Sequence, residues 1–474
     1  MRLAFKKILS NNSHVWIMLI LGLSLVARLW QYRPHMPMWD ASAYLMMGKY
    51  LFSSGQEGFL EPFRPLAWPL VLGFVGWVGL DPLWMGYILG ILFSLGSLVL
   101  VYAIARELFD ARTGLLACVL LAMSPSLFFW GNCLYSEIPA CFTGLLGFYL
   151  YVRKRDFWAG FWLSISFFTK FTQIILLVFV GLAIVIDAIR SKKYSRLNKF
   201  LAGATGILVI FLIVQQGLYG DALFPFLQGK SVYGQVTYFW FDGMIRALLE
   251  IMKVEHAALT LAPVGVWYAC RGKTRRQEVV VLSLMAVCSF LWIGKLPTSI
   301  VRYAVLALPY AYILSAVGLL RFVESVTEKH IAVRVVTAVV LMSLFPLYKI
   351  GTVKFSSDQP DFVQSYAVKN EAMLKGKRIW ISSPQELVTT SLKADQLMYY
   401  PIFDFRRVQE LSGQLRKADV VFFDSASLVC APPEDSNCLA KKNELFQNIE
   451  RDFKLIHEQK NARGQLRGIY QKKQ

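Results

Sequence analysis

Histidine is scarce in this chain, with five in 474 residues, and none stands beside an obvious metal partner. The seven cysteines form no CxxC pair and no zinc spacing. There is no phosphate-cradling glycine loop, no HExxH, and no GxSxG in a strand–turn–helix setting. These absences remove the usual zinc, nucleotide and serine-nucleophile chemistries as first readings. Charge is thin as well: 17% of residues are charged against 56% hydrophobic, and the mean hydropathy is +0.46. No internal repeat and no low-complexity tract is present. A chain this apolar is not a soluble domain with a large core.

What is there in quantity is apolar sequence. Several windows run roughly 20 residues with almost no charge, the length a helix needs to cross a bilayer. Backbone groups in lipid must be satisfied internally, so these windows are expected to be helices. The net charge of +19 suggests nucleic acid at first sight. Its distribution points elsewhere. Basic residues cluster between apolar windows, as in Arg153-Lys154-Arg155, in Arg190 to Lys199 and in Arg271 to Arg276. That is the signature of cytoplasmic loops, so no nucleic-acid partner is expected. The N-terminus has a basic start and no small-residue cleavage site, and reads as a retained first helix.

Placing the basic clusters on one side gives about eleven crossings. They fall near 14–31, 82–104, 114–130, 138–152, 157–169, 171–189, 199–218, 254–270, 278–293, 302–320 and 331–349. The segment 65–80 is apolar but short, and Pro65 and Pro69 interrupt it. It reads as an interfacial or re-entrant helix in the first external loop. After about residue 350 the composition becomes that of a soluble domain. The stretches "KRIWISS", "QLMYYPIFDF", "ADVVFFDS" and "LRGIYQKK" read as strands. "PQELVTTSLKA", "FRRVQELSGQLRK" and "AKKNELFQNIERDF" carry helical periodicity. The expected architecture is an all-α polytopic membrane domain over 1–350 with a small extracytoplasmic α/β domain over 351–474. Cys430 and Cys438 flank "APPEDSN" in that domain, where either a disulfide or two free thiols fits.

The residues that could carry chemistry lie at the outer membrane face. Asp40 follows the first span, and Glu137 sits at the mouth of the fourth in "LYSEIPA". Two separate acids on one face suit general-base work, although Ser136-Glu137-Ile138-Pro139 is also a plausible helix start. Three bases face them: Arg64, Lys170 and Arg302. A cation at membrane depth costs several kcal/mol unless paired or wet, so Lys170 is a functional candidate, with snorkelling as the alternative. Together the bases could hold an anion such as a lipid phosphate. Arg28, near the outer end of the first span, reads as a snorkelling residue. The stretch Tyr233 to Phe241 could stack on a sugar or form an interfacial aromatic belt.

In this order the motifs resemble the GT-C superfamily of polyprenyl-phosphate-sugar-dependent glycosyltransferases, in the branch of the protein mannosyltransferases and aminoarabinose transferases. The resemblance spans about residues 14–320. It begins with Asp40-x3-Tyr44 and continues with Arg64-Pro65-Leu66 and Pro69. "ARELFDARTGLLA" and "AMSPSLFFWGNCLYSEIP" follow. Next come "AGFWLSISFFTKFTQIILL" with its lysine, Lys170, then "YGDALFP", and finally "VRYAVLALPY" with Arg302 and Tyr303. The resemblance implies a GT-C fold and a sugar donor carried on polyprenyl phosphate. Asp40 would deprotonate or orient an acceptor hydroxyl for attack at the anomeric carbon, with inversion. Arg64, Lys170 and Arg302 would stabilise the leaving lipid phosphate. Tyr44, Glu61 and Tyr303 would contact substrate. The acceptor would be a lipid, glycan or protein. The protein would sit multi-pass in the plasma (inner) membrane, with its N-terminus cytoplasmic and its C-terminal domain outside.

One departure stands out. Many family members carry a second acid directly after the first, whereas position 41 here is Ala. Glu137 or Glu61 is available to supply it. A divalent metal is not required by these residues, although Asp40 with Glu137 could hold one. A transporter or flippase of lipid-linked sugars would need midplane polar sites in matching halves. A glycan polymerase or ligase would need a large arginine-bearing external loop, and 219–253 holds only Arg246.

Overall fold

The structure is a computed structural model, and it describes residues 13–31, 37, 39–227, 240–272, 275–293, 300–325, 344, 347–351, 367–382, 390, 392–399, 408–424, 436–460 and 466–473. The described chain is a helical body with a small sheet at its C-terminal end. Among the described residues, five helices are long and apolar enough to cross a membrane: Ser13–Trp30, Pro82–Leu108, Phe171–Ser191, Ser195–Tyr219 and Arg276–Ile293. The protein is a multi-pass membrane protein. The first span carries Val15, Met18, Leu23 and Trp30 exposed, an apolar face that suits lipid rather than water.

Helix α1 is Ser13–Gln31, and α2 is Trp39–Phe52, which begins one residue before Asp40. Helix α3 is Ala67–Trp77. Its eleven residues rise only ~16 Å, about half the hydrocarbon thickness of a bilayer. It packs on α2 through two glycines: a Cβ on Gly48 would lie 2.8 Å from Gly73 N, and one on Gly73 would lie 2.5 Å from Gly48 O. The Trp68 indole also donates to Leu134 O at 3.2 Å. The short apolar segment is therefore a helix held on protein along one face, while Phe74 and Trp77 stay exposed.

Helix α4, Pro82–Leu108, starts where Asp81 accepts from Leu83 N at 2.8 Å, with Pro82 in the first turn. The "RELFDART" turn ends at Asp110, which caps α5, Ala111–Ala122, by accepting from Thr113 N at 2.8 Å. Three expected spans are broken, each at a proline. The third, near 114–130, divides at Ser124-Pro125 into α5 and a six-residue helix α6, Pro125–Trp130. The one near 254–270 consists of a 3-10 turn, Ala257–Leu261, and a helix Ala262–Arg271 with Pro263 in its first turn. The one near 302–320 pauses after Ala304 and resumes at Leu308-Pro309. Proline lacks the N–H of a continuous helix and disfavours helical geometry in the residue before it. The expected span near 331–349 lies almost wholly outside the described residues.

Helix α7 is Glu137–Val152, α8 is Asp156–Thr169, and a 3-10 turn at Phe171–Gln173 leads into α9, Ile174–Ser191. Helix α10 is Ser195–Tyr219. Gly160 of α8 and Gly203 of α10 face each other's backbone so closely that a Cβ on either would strike it. Helix α11, Trp240–Val254, is followed by α12, Ala262–Arg271, and α13, Arg276–Ile293. Helix α14, Ile300–Ala304, and α15, Leu308–Ser325, complete the described helical body.

The sheet has order β2-β1-β3-β5-β4. β1 is Ile379–Ile381, β2 Leu397–Tyr399, β3 Val420–Asp424, β4 Phe453–Lys460 and β5 Leu466–Lys472. β1 runs parallel to β2 and β3, and β5 runs antiparallel to β3 and β4. Alternation decides the two faces. Ile379, Ile381, Val420 and Phe422 join a core with Ala41, Tyr44 and Leu45 of α2, Trp68 of α3, and Cys133, Leu134 and Tyr135. Trp380, Val421, Phe423 and Tyr470 face the other way, onto Leu415, Leu445 and Ile449 of helices Val408–Lys417 and Ser436–Asp452. The helix bearing Asp40 is thus clamped between α3 and the sheet. Lys49 Nζ donates to Thr390 O at 2.9 Å, and Ala394 N donates to Gln56 O at 2.7 Å. Strand β4 was not expected from the sequence. The expected helix over 384–394 falls mostly outside the described residues, and so does Cys430. The five cysteines whose side chains are described are free.

Candidate active site

The site lies where α2, the loop before α3, the start of α7, the α8–α9 turn and α14 converge. All eight residues singled out by sequence meet there. Asp40 sits in the first turn of α2. Arg64 Nη2 donates to Asp40 Oδ1 at 2.8 Å, and Arg64 Nε donates to Glu61. From the opposite side, Arg302 Nη1 donates to Asp40 Oδ2 at 2.6 Å. The Arg302 Nε lies 2.8 Å from Glu137 Oε1, an ion pair out of hydrogen-bond alignment. Lys170 Nζ donates to the same Oε1 at 2.8 Å. Six charges therefore form one chain, Glu61–Arg64–Asp40–Arg302–Glu137–Lys170, in which acid and base alternate.

Aromatic rings frame that chain. The Arg64 guanidinium lies over Tyr44 at 5.3 Å, and the Lys170 ammonium over Tyr303 at 4.6 Å. The Arg302 guanidinium lies over Tyr135 at 4.8 Å, and its Nη2 donates to the Tyr303 hydroxyl at 3.1 Å. The Tyr44 hydroxyl shares a 2.8 Å hydrogen bond with Ser136 Oγ. Tyr135 was not picked out from the sequence, and Ser136 only as part of a possible helix start. Their signal was adjacency to Glu137 in "LYSEIPA".

Burial separates the members. The Glu137 side chain is 0% exposed and that of Lys170 8%, while Asp40 and Arg302 keep 14% and 13%. Asp40 and Arg302 are therefore the members a ligand meets first. Burial pushes the Asp40 carboxyl upward, but Arg64 and Arg302, with Lys170 behind them, outweigh it and hold the group below the usual carboxylate range. Glu137 does begin α7, yet its carboxylate is turned to Lys170 and Arg302 rather than to the helix's own N–H groups. Its Oε2 has no hydrogen-bond partner among the described residues.

The Tyr303 ring, over which the Lys170 ammonium lies, also lines a small, partly open apolar cleft with Gln173, Ile175, Met285 and Trp292. Among the described residues, no group of three His, Cys, Asp or Glu side chains is placed to hold a metal ion. The aromatic stretch Tyr233 to Phe239 is outside the described residues. Arg28 does not snorkel. It is 1% exposed and donates to Phe128 O at 3.1 Å and Leu127 O at 3.2 Å. Both carbonyls belong to the short helix α6, where Leu127 O also accepts from Gly131 N at 3.1 Å, and in an apolar setting a buried arginine satisfies their remaining acceptor capacity.

Known proteins share this architecture. The family described as dolichyl-phosphate-mannose-protein mannosyltransferase matches residues 64–215. No curated protein gives a significant match. Among solved structures, ArnT from Cupriavidus metallidurans bound to undecaprenyl phosphate aligns with a TM-score of 0.60 at 12% identity, covering 96% of this chain and 97% of that one. The apo oligosaccharyltransferase of Archaeoglobus fulgidus gives a TM-score of 0.63 at 10% identity, covering 97% and 74%. The arabinofuranosyltransferase AftD from Mycobacteria gives 0.55 at 12%, covering 96% and 41%. At these identities the likeness is one of fold. The chain has the helical membrane architecture expected from its motif order.

Proposed function

We propose that this chain is an integral-membrane glycosyltransferase that moves a hexose or pentose from a polyprenyl-phosphate donor to an acceptor hydroxyl. The observation that carries the reading is the alternating acid–base chain gathered at the ends of the membrane helices. Three cations gathered where apolar membrane helices end suit a ligand with an anionic head and a hydrocarbon tail. The fold supports the same reading, since the similar ArnT structure holds undecaprenyl phosphate.

In this mechanism Asp40 takes the proton of the acceptor hydroxyl as its oxygen attacks the anomeric carbon. The C–O bond to phosphate breaks, the lipid phosphate leaves with the electron pair, and the configuration inverts. Arg64, Arg302 and Lys170 stabilise the charge that grows on the phosphate. Glu61 and Glu137 answer for the acid missing at position 41. Glu61 positions Arg64, and Glu137 positions Lys170 and Arg302. Tyr44 and Tyr303 shape the walls. We assign no metal to the reaction, because the Arg302 guanidinium pairs with both Asp40 and Glu137, where a shared cation would have to sit. The acceptor class is a lipid, a glycan or a protein.

Orientation follows from the charges. Glu137 and Val152 bound a helix of 16 residues, so the two ends lie roughly 24 Å apart. At the far end Arg153 pairs with Glu107, Arg275 Nη2 pairs with Glu107 at 3.0 Å, and Lys154 pairs with Glu278. We place that basic end in the cytoplasm, and the site and the sheet domain outside, in the plasma membrane. A transporter of lipid-linked sugars is less well supported, because the charged site lies at helix ends rather than at mid-depth.

The test is a panel of polyprenyl-phosphate sugars incubated with the purified protein in the presence of EDTA. One donor is expected to raise the Tm and to release polyprenyl phosphate when the acceptor is added. If no lipid-phosphate sugar stabilises or reacts, the assignment falls.

A further inference from the structure

The six-charge chain has a consequence for how the site is switched on. Three acids and three bases sum to zero when all are ionised. Every cation in it already faces a carboxylate: Arg64 faces Asp40 and Glu61, Arg302 faces Asp40 and Glu137, and Lys170 faces Glu137. An incoming lipid phosphate finds no unclaimed cation among them. Adding an anion to a buried, already neutral cluster is costly unless one resident charge is neutralised or displaced.

Asp40 is the member placed to yield. It bridges the two arginines, one through each oxygen, at 2.8 and 2.6 Å. It is also more exposed than Glu137 and Glu61, whose side chains are 0% and 1% exposed. A phosphate offers a guanidinium the same paired oxygens as a carboxylate.

We infer that the donor phosphate and Asp40 compete for Arg64 and Arg302, so that donor binding itself releases Asp40 to act as the base. This rests on the glycosyltransferase reading of the site. Before the donor arrives, both arginines hold the carboxylate and it is a weak base. Once the phosphate takes the guanidinium groups, Asp40 stands beside an anion and gains affinity for a proton. During transfer that proton comes from the acceptor hydroxyl. The O–H bond breaks as the new C–O bond forms, and the sugar–phosphate bond breaks toward the phosphate. When lipid phosphate binds without acceptor, the proton comes from solution. The ionisable groups facing Asp40 are Arg64, Arg302, Lys170, Glu137, Tyr135 and Tyr303. Among the described residues, no histidine joins them.

Two measurements on the full-length protein test the exchange. The first compares the affinity of the wild type and Asp40→Asn for undecaprenyl phosphate at pH 7.5. Removing the competing carboxylate is expected to tighten binding by about tenfold, because the competing ion pair is lost. Equal or weaker binding by the variant would overturn the inference. The second needs no variant. The probe is undecaprenyl methyl phosphodiester, whose charge is constant over the range used. Its affinity for the wild type is expected to rise about threefold or more between pH 7.5 and 5.5, by proton linkage. A pH-independent affinity would overturn the inference while leaving lipid-phosphate binding, and so the parent reading, intact. Failure of the wild type to bind either lipid would instead overturn the parent reading and this one with it.

Discussion

Asp40 holds the site together as well as serving it. Its two oxygens join the loop before α3 to α14, which are distant in sequence. Burial disfavours its charge, but Arg64, Arg302 and Lys170 overcome that and lower its folded value below the ordinary 3.8. A carboxylate whose folded value is depressed stabilises the fold above its unfolded value. That contribution is lost as pH falls through the folded one. The Tm difference between wild type and Asp40→Asn is therefore expected to stay constant from pH 8 to 5. It should shrink only below about pH 4, where carboxylates in the unfolded chain begin to protonate. A difference that already fades between pH 7 and 6 would mean that the arginines do not hold Asp40 as described. The variant is also expected to lose at least about 100-fold in transfer rate, the usual scale of general-base catalysis. That the acids and bases beside the apolar spans were candidates was legible in the sequence, because a lone charge in that setting needs a reason to be there. Who pairs with whom was not. Arg302 reaches Asp40 across 262 positions, and spacing along a chain carries no information about such a contact.

The elements were legible where one physical rule dominates and obscure where two compete. Long apolar windows gave α4, α9 and α10 within a few residues, because lipid leaves a backbone no alternative to the helix. Hydropathy without attention to Pro125, Pro263 and Pro309 ran three spans past their breaks. Helix α2 was missed altogether, since "WDASAYLMMGKYLF" is moderately apolar and does not announce which of its neighbours will cover it. Its cover is α3 on one side and the sheet on the other, and the α2–α3 contact is close enough to need glycine. A methyl group at Gly73 would press on Gly48 O and on the Phe52 ring, whereas one at Gly76 finds its nearest neighbour 3.7 Å away on Pro82. Gly73→Ala is accordingly expected to cost about 1–3 kcal/mol through overpacking. Gly76→Ala in the same helix should be neutral or slightly stabilising, because alanine is the better helix former. The measurement is the Tm of the two purified variants in one detergent. Equal values would show that α2 and α3 are not in backbone contact, and the placement of Asp40 would lose its support.

At the scale of the whole molecule, the opposition between two ends of one helical body organises everything else. Glu107, Arg153, Lys154, Arg275 and Glu278 gather at one end, and Asp40, Glu137, Lys170 and Arg302 at the other. A sheet packs against the second end through Tyr44, Leu45 and Trp68. Arginine and lysine retained on the cytoplasmic side fix the direction of a membrane protein, so the site and the sheet are expected to face outward together. Two exposed lysines make this measurable. Lys192 ends α9 at the basic end, and Lys375 lies just ahead of β1. Cysteine introduced as Lys375→Cys should react with a membrane-impermeant maleimide in right-side-out vesicles, while Lys192→Cys should react only after the membrane is opened. The described native cysteines are buried or half-buried, and labelling of the unsubstituted chain, which also carries Cys430 and Cys438, is measured in parallel as the background. The reverse pattern would turn the molecule over and place the site in the cytoplasm. Labelling of both positions in sealed vesicles would deny that the two ends are separated by a bilayer at all. The expected pattern, with Lys375→Cys alone accessible, leaves the acid–base chain facing the outer leaflet, where a donor lipid and an external acceptor can both reach it.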